Sequence, residues 1–159
     1  FSTLKNDYAE MGIELDVVHH SQFIDELIQE NKIEPQPWVD EDVTFHDPCY
    51  LGRHNNEYDA PRSVLQSVLR DGKIKEMEKA KSESFCCGAG GGNMWYEIKT
   101  GERINQNRVR QAVSTKASTV AAACNFCNIM LEDGVKTTQN EENIKVLDIA
   151  EMVSQSLSK

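Results

Sequence analysis

The sequence has 159 residues, 39% of them apolar, which suffices for one hydrophobic core and gives an expectation of one domain. Its 26 acidic and 17 basic side chains leave a formal charge of -9, which repels phosphate backbones and anionic headgroups and argues against a nucleic-acid partner. No apolar run approaches the roughly 20 residues of a membrane-spanning helix, and the first residues lack the basic-then-apolar pattern of a secretory signal, so no direct membrane insertion is expected.

In chain order, Leu15 to His19 reads as a short buried strand, and Ser21 as the N-cap of a helix over Gln22 to Asn31 with Phe23, Ile24, Leu27 and Ile28 on one face. Lys32 to Asp42, with two prolines and four acids, reads as a loop. Val43 to His46 is a second strand, and Pro61 to Arg70 a helix capped by Asp59, with Val64, Leu65, Val68 and Leu69 inward and Asp71-Gly72 as its stop. Ile74 to Met77 is a weaker third strand, and Arg103 to Val113 a helix with Ile104, Val109 and Val113 inward. Thr119 to Ala123 makes a fourth strand, Asn125 to Val135 a helix, Ile144 to Leu147 a fifth strand and Ala150 to Leu157 the last helix. Strands that alternate with helices predict an α/β fold: an open, mostly parallel sheet with helices on both faces.

The stretch Leu15–Ile24 echoes Lys145–Val153, each a strand running into an amphipathic helix, and Phe1 to Tyr8 corresponds to the helix over Asn125 to Val135. The echo carries the expectation that residues 1-31 are the tail of a preceding repeat and that the chain is a C-terminal fragment.

Five cysteines cannot all pair internally, and a bridge between the adjacent Cys86 and Cys87 would be strained, so a reducing, cytoplasmic setting fits better than secretion. Cys49, Cys86, Cys87 and Cys124 each follow an expected strand, at the edge where open parallel sheets bind ligands. The spacing is Cx36CCx36CxxC. Cys124 and Cys127 fall in the first turn of a helix, where free N–H groups and the helix dipole favour thiolates. Gly88, Gly90, Gly91 and Gly92 are candidate cofactor-binding residues, since glycines permit positive φ and let N–H groups approach a cluster. Thiolates suit iron–sulfur clusters and zinc alike. Five dispersed cysteines exceed the four ligands of a structural zinc site, which favours iron–sulfur; a zinc-stabilised docking module and a thiol/disulfide redox domain stand as alternatives.

His46-Asp-Pro-Cys49-Tyr-Leu-Gly-Arg53, Phe85-Cys-Cys-Gly-Ala-Gly-Gly-Gly92 and the final CxxC together resemble the cysteine-rich "CCG" domain family, which includes heterodisulfide reductase and related iron–sulfur oxidoreductases. The resemblance implies that Cys49, Cys86, Cys87, Cys124 and Cys127 are metal ligands for a 4Fe-4S-type cluster, the noncubane arrangement of the family included, although some relatives carry zinc. It further implies an electron-transfer domain, not catalytic alone, that relays electrons between a flavoprotein dehydrogenase or electron-transfer flavoprotein and a downstream acceptor. A ferredoxin-like domain of the same protein would complete the electron chain, and the parent protein could sit at the inner face of the cell membrane.

Several other side chains invite a functional reading and receive a structural one. His46 is expected to be a satisfied group at a strand end, His19 and His20 to cap or face solvent, and Met94, Trp95 and Tyr96 to pack in the core. Arg53 and His54 stand evenly between offsetting cluster charge and forming an exposed polar turn.

Overall fold

A computed structural model of the chain describes residues 1–96 and 100–157. Its strands are β1 (Val43–His46), β2 (Thr119–Ala122) and β3 (Lys145–Asp148), joined in the order β1-β2-β3 as a parallel sheet. Val43 pairs with Thr119 and His46 with Ala122, while Thr119 pairs with Lys145 and Ala122 with Asp148, so the three strands finish at one edge. The helices are α1 (Tyr8–Glu10), α2 (His20–Gln29), α3 (Gly52–Asn55), α4 (Asp59–Val68), α5 (Ile104–Ser114), α6 (Asn125–Thr137) and α7 (Ile149–Leu157). This is the expected α/β arrangement of an open parallel sheet with helices around it.

The period of two along a strand sorts the packing. Phe45, Ala121 and Leu147 meet the helices α2, α4 and α7, which pack on one another through Val64, Leu65, Val68, Ile149 and Met152. Val120, Ala122 and Val146 turn the other way, toward α5 and α6 and the cluster of Val109, Met130 and Leu131. Helices α5 and α6 lie close because α6 offers Gly134, where a Cβ would stand 2.7 Å from Val109 Cγ2 and 3.0 Å from the Asn105 carbonyl oxygen.

Two expected strands do not form. Leu15 to His19 has no ladder partner, and Leu15 and Val18 are half exposed. His19, not Ser21, caps α2: its Nδ1 accepts the Ser21 N–H at 3.2 Å, while Gln22 Oε1 accepts the His19 N–H at 3.1 Å. That cap turns the chain straight into a helix packed on α4 and α7, which leaves the preceding residues across the ends of the strands instead of alongside them. Ile74 makes a single parallel bridge with Val43. The ladder stops there because Glu76 is drawn out to Arg62, whose Nε and Nη2 donate to it at 2.6 and 2.9 Å.

Smaller departures have local causes. Phe1 to Tyr8, expected as a helix, holds a π-helical turn at Thr3–Asp7 before the short α1. Tyr58 precedes α4 and Asp59 lies in its first turn, the Ala60 N–H being capped by Glu57 at 3.0 Å. In α5 the buried face is Asn105, Arg108, Val109 and Ala112, so Ile104 and Val113 are only half buried. Among the described residues, no helix is long and apolar enough to cross a membrane.

Candidate metal centre

Each cysteine reaches the sheet's carboxyl edge by its own local device. Cys49 lies three residues beyond β1, in a turn whose Leu51 and Gly52 N–H groups both donate to the Pro48 carbonyl. Cys124 leaves β2 in extended conformation and serves as the N-cap of α6, which places Cys127 in the first turn. Cys86 and Cys87 arrive on the loop after the Lys81–Glu83 turn. Arg53 ties that loop to the Cys49 turn, donating from Nη2 to the Ser84 carbonyl at 2.6 Å. This resolves the open reading of Arg53 toward a tether, whereas His54 stacks on Tyr50 with ring centroids 5.0 Å apart.

The sulfurs are linked. Cys87 lies within interacting reach of Cys127, Cys86 and His46, and Cys127 within reach of Cys124. Cys49 lies within electrostatic reach of Cys87 and Cys124. All five thiols are free of disulfides, with Cys87 and Cys127 buried. His46, Cys87 and Cys127 present ligand atoms within 4.8 Å of one another, the three-residue metal-capable group found among the described residues.

Proton placement follows from these contacts. The neighbouring sulfurs, Cys127 first and then Cys86, hold Cys87 below the ordinary thiol range. Cys127 likewise lowers Cys124 to about 6, assisted by the backbone N–H groups of Cys127 and Phe126. Interaction with neighbouring sulfurs pushes Cys86 and Cys127 upward, and burial does the same to Cys49. Backbone groups point at the sulfurs throughout: Gly88 N–H lies 3.2 Å from Cys86 Sγ, and Ala89 and Tyr50 serve Cys87 and Cys49. Gly88 has φ +93°, the left-handed region, and a Cβ there would sit 3.1 Å from Ile104 Cβ, so the donor depends on glycine. Gly90, Gly91 and Gly92 form an exposed turn, of which Gly91 and Gly92 have positive φ.

Behind the sulfurs is a buried polar layer that the sequence reading missed. Arg108, wholly enclosed, donates from Nε to His46 Nδ1 at 3.0 Å, from Nη1 to the Lys79 carbonyl and Gln111 Oε1 at 2.8 Å each, and from Nη2 to Ser84 Oγ at 3.2 Å. Burial lowers its pKa to about 10, which still leaves the guanidinium charged at neutral pH. Asp47 is clasped by Arg62 at 2.8 and 3.1 Å and accepts the Lys81 N–H at 2.8 Å. The available signal for Arg108 was its place one helical turn from Ile104 and beside Val109, on the inward face. Trp95 and Tyr96, expected in the core, are 80% and 68% exposed, because the glycine turn carries them outward, while Met94 is half buried.

Comparison with known proteins agrees with the motif reading. Residues 43–132 match the cysteine-rich domain family. Over 157 residues the chain is 41% identical to the probable iron-sulfur-binding oxidoreductase FadF of Bacillus subtilis, covering 99% of this chain and 22% of that protein. It is 41% identical to the EtfAB:quinone oxidoreductase of Syntrophomonas wolfei, over 96% of this chain and 22% of that protein. With one component of the dihydromethanophenazine:CoB--CoM heterodisulfide reductase of Methanosarcina barkeri it shares 38% identity, over 99% of this chain and 38% of that protein. The chain therefore spans between about a fifth and two fifths of the length of these relatives. With residues 43–132 matched and all five thiols free, this chain belongs to the cysteine-rich CCG domain family.

Proposed function

We propose that the chain is the iron–sulfur-binding, electron-transfer domain of a larger heterodisulfide-reductase-like oxidoreductase. The observation that carries this reading is the convergence of five thiols from three stretches of chain, with backbone N–H groups directed toward them and one buried guanidinium behind His46. Such a donor set suits a soft, anionic centre with several irons, and it exceeds the four ligands of a structural zinc. Cys49, Cys86, Cys87, Cys124 and Cys127 would hold a 4Fe-4S-type cluster, noncubane in the manner of the family, and Gly88 would bring its N–H close to a sulfur; Gly90, Gly91 and Gly92 would flank it. When bound, the centre supplies one-electron redox chemistry; the chain's own groups ligate it, donate hydrogen bonds to its sulfurs and balance its charge.

The names of the relatives support a place for the parent protein between an electron-transfer flavoprotein or another flavoprotein dehydrogenase and a downstream acceptor. A ferredoxin-like domain elsewhere in the parent protein would supply the neighbouring clusters. One relative's name, probable membrane-anchored ferredoxin, supports a location at the membrane for such assemblies.

A second reading has its own observation: His46, Cys87 and Cys127 lie close enough to share a single zinc. Anaerobic reconstitution separates the two. The expected result is iron and sulfide in the folded chain with visible absorption and a paramagnetic signal on reduction, and Cys87→Ser or Cys124→Ser should lower the iron content while leaving the helical circular dichroism in place. A colourless chain with stoichiometric zinc, or cysteine variants with unchanged iron, would overturn the electron-transfer reading.

A further inference from the structure

We infer that Arg108 locks His46 into the tautomer that carries its proton on Nε2, so that His46 donates a hydrogen bond to Cys87 and is not itself a metal ligand. The inference rests on the iron–sulfur reading for its redox consequence, while the tautomer stands on hydrogen-bond geometry alone.

A guanidinium has donors only, so the Nε of Arg108, 3.0 Å from His46 Nδ1, requires that nitrogen to be the acceptor. A doubly protonated ring is ruled out by the same contact, because its Nδ1 would also carry a proton. In the neutral ring that remains, the proton is on Nε2. The imidazole has one in-plane hydrogen-bonding direction per nitrogen, and Nδ1 is taken; of the ring nitrogens of His46, whose ligand atom lies within 4.8 Å of the Cys87 sulfur, Nε2 is the one left to face it.

Metal-binding histidines show the opposite polarity. Their second nitrogen donates its N–H to a carbonyl or carboxylate, which leaves a lone pair on the ligating nitrogen. Here the second nitrogen accepts, so binding a metal through Nε2 would require a deprotonated, anionic ring or the loss of the Arg108 contact. Distance alone makes His46 a third ligand beside Cys87 and Cys127, whereas hydrogen-bond polarity makes it a donor.

The surroundings favour the donor role. His46 and Arg108 are both enclosed, and all four hydrogen bonds of Arg108 go to neutral acceptors: His46, the Lys79 carbonyl, Gln111 and Ser84. A buried cation without a carboxylate in contact is costly unless negative charge lies nearby. Asp47 supplies most of it, without touching Arg108, and the cysteine sulfurs and Glu76 add to it. Hydrogen bonds to cluster sulfurs favour the more negative, reduced state and raise the reduction potential. His46 and Arg108 are thus positioning and tuning residues.

The decisive measurement is a long-range 1H–15N correlation of the histidine rings in the metal-free full chain, with His46 assigned by substitution. Protonated Nε2 with bare Nδ1 is expected, and Arg108→Met should release a mixture of tautomers; protonated Nδ1, or a ring insensitive to Arg108, would overturn the inference. In the anaerobically loaded full chain, His46→Leu should keep its iron and shift the reduction potential to more negative values. His46→Gln, which can again accept from Arg108 and donate to Cys87, should bring it back toward the parent value. Iron lost from both variants would make His46 a ligand, and full iron with an unmoved potential in His46→Leu would leave no donor role; either result sinks the proposal. A chain that takes zinc and no iron would defeat the electron-transfer reading, and the metal-free ring correlation would still decide the tautomer.

Discussion

Phe45 and His46 are neighbours in β1 and point to opposite faces of the sheet, into two kinds of interior. Phe45 enters a cluster made of Val64, Leu65, Val68, Ile149 and Met152, where non-directional burial sets the stability. His46 enters the side that holds Cys87, Cys127, Arg108 and Asn105, where buried groups must be matched donor to acceptor. One face supplies cohesion that tolerates exchange of similar volumes, and the other supplies a geometry that does not. The strands let both coexist because alternate residues belong to different faces.

That contrast can be broken from the apolar side first. Phe45→Ala empties a fully enclosed site and should cost about 3–5 kcal/mol in urea unfolding. The loss should be similar with and without metal, and the folded fraction should bind as much iron as the parent; a selective loss of iron would show that the two faces are not separable. Arg62→Met tests their connection, since Arg62 sits in α4 yet clasps the buried Asp47 beside His46. Leaving that carboxylate without its partner should cost about 3 kcal/mol, and iron should be lost more readily to a chelator, because the 81–84 loop hangs on the same carboxylate.

The other face is sharpened by Gly134→Ala, which presses a methyl against Val109 and the Asn105 carbonyl and should cost about 1–3 kcal/mol as α5 and α6 part. Because Asn105 and Arg108 share the buried face of α5, the ring correlation of His46 should broaden or shift in this variant. No such change is expected in Phe45→Ala. The smallest effect concerns acid. Burial, followed by the neighbouring His20, lowers the pKa of His19 from 6.5 to about 4. Its contribution to stability is thus present above pH 6.5 and is lost as pH falls toward 4, when protonation also abolishes the Nδ1 acceptor that caps α2. His19→Asn keeps a capping acceptor without the titration and should flatten the fall in urea midpoint across that window.

The local pattern was legible for β1, β2, β3 and the helices α2, α4, α5, α6 and α7, whose apolar spacing and breakers act within a few residues. It was legible too for Cys49 and Cys124, because loops that leave parallel strands share one edge, whereas Cys86 and Cys87 follow an expected strand that does not form and come in on a loop tied by Arg53. Leu15–His19 shows where such reading stops: its letters suit a strand, but a strand exists only where another edge accepts its hydrogen bonds. A capping role for His19 was one of two expectations, but its precedence over Ser21 was not, since histidine ranks low among capping residues and works here through a ring held in place by packing.

By itself the sequence determined the order of the three strands and five main helices, the family motifs and the spacing of the cysteines, all of which are carried by short-range pattern. Only the tertiary structure decided that Arg108 lies 62 positions from His46 in sequence and 3.0 Å from it in space, and which ring nitrogen therefore holds the proton. Hydrogen-bond polarity in a buried site is a property of partners brought together from distant stretches of chain, and no local pattern encodes it.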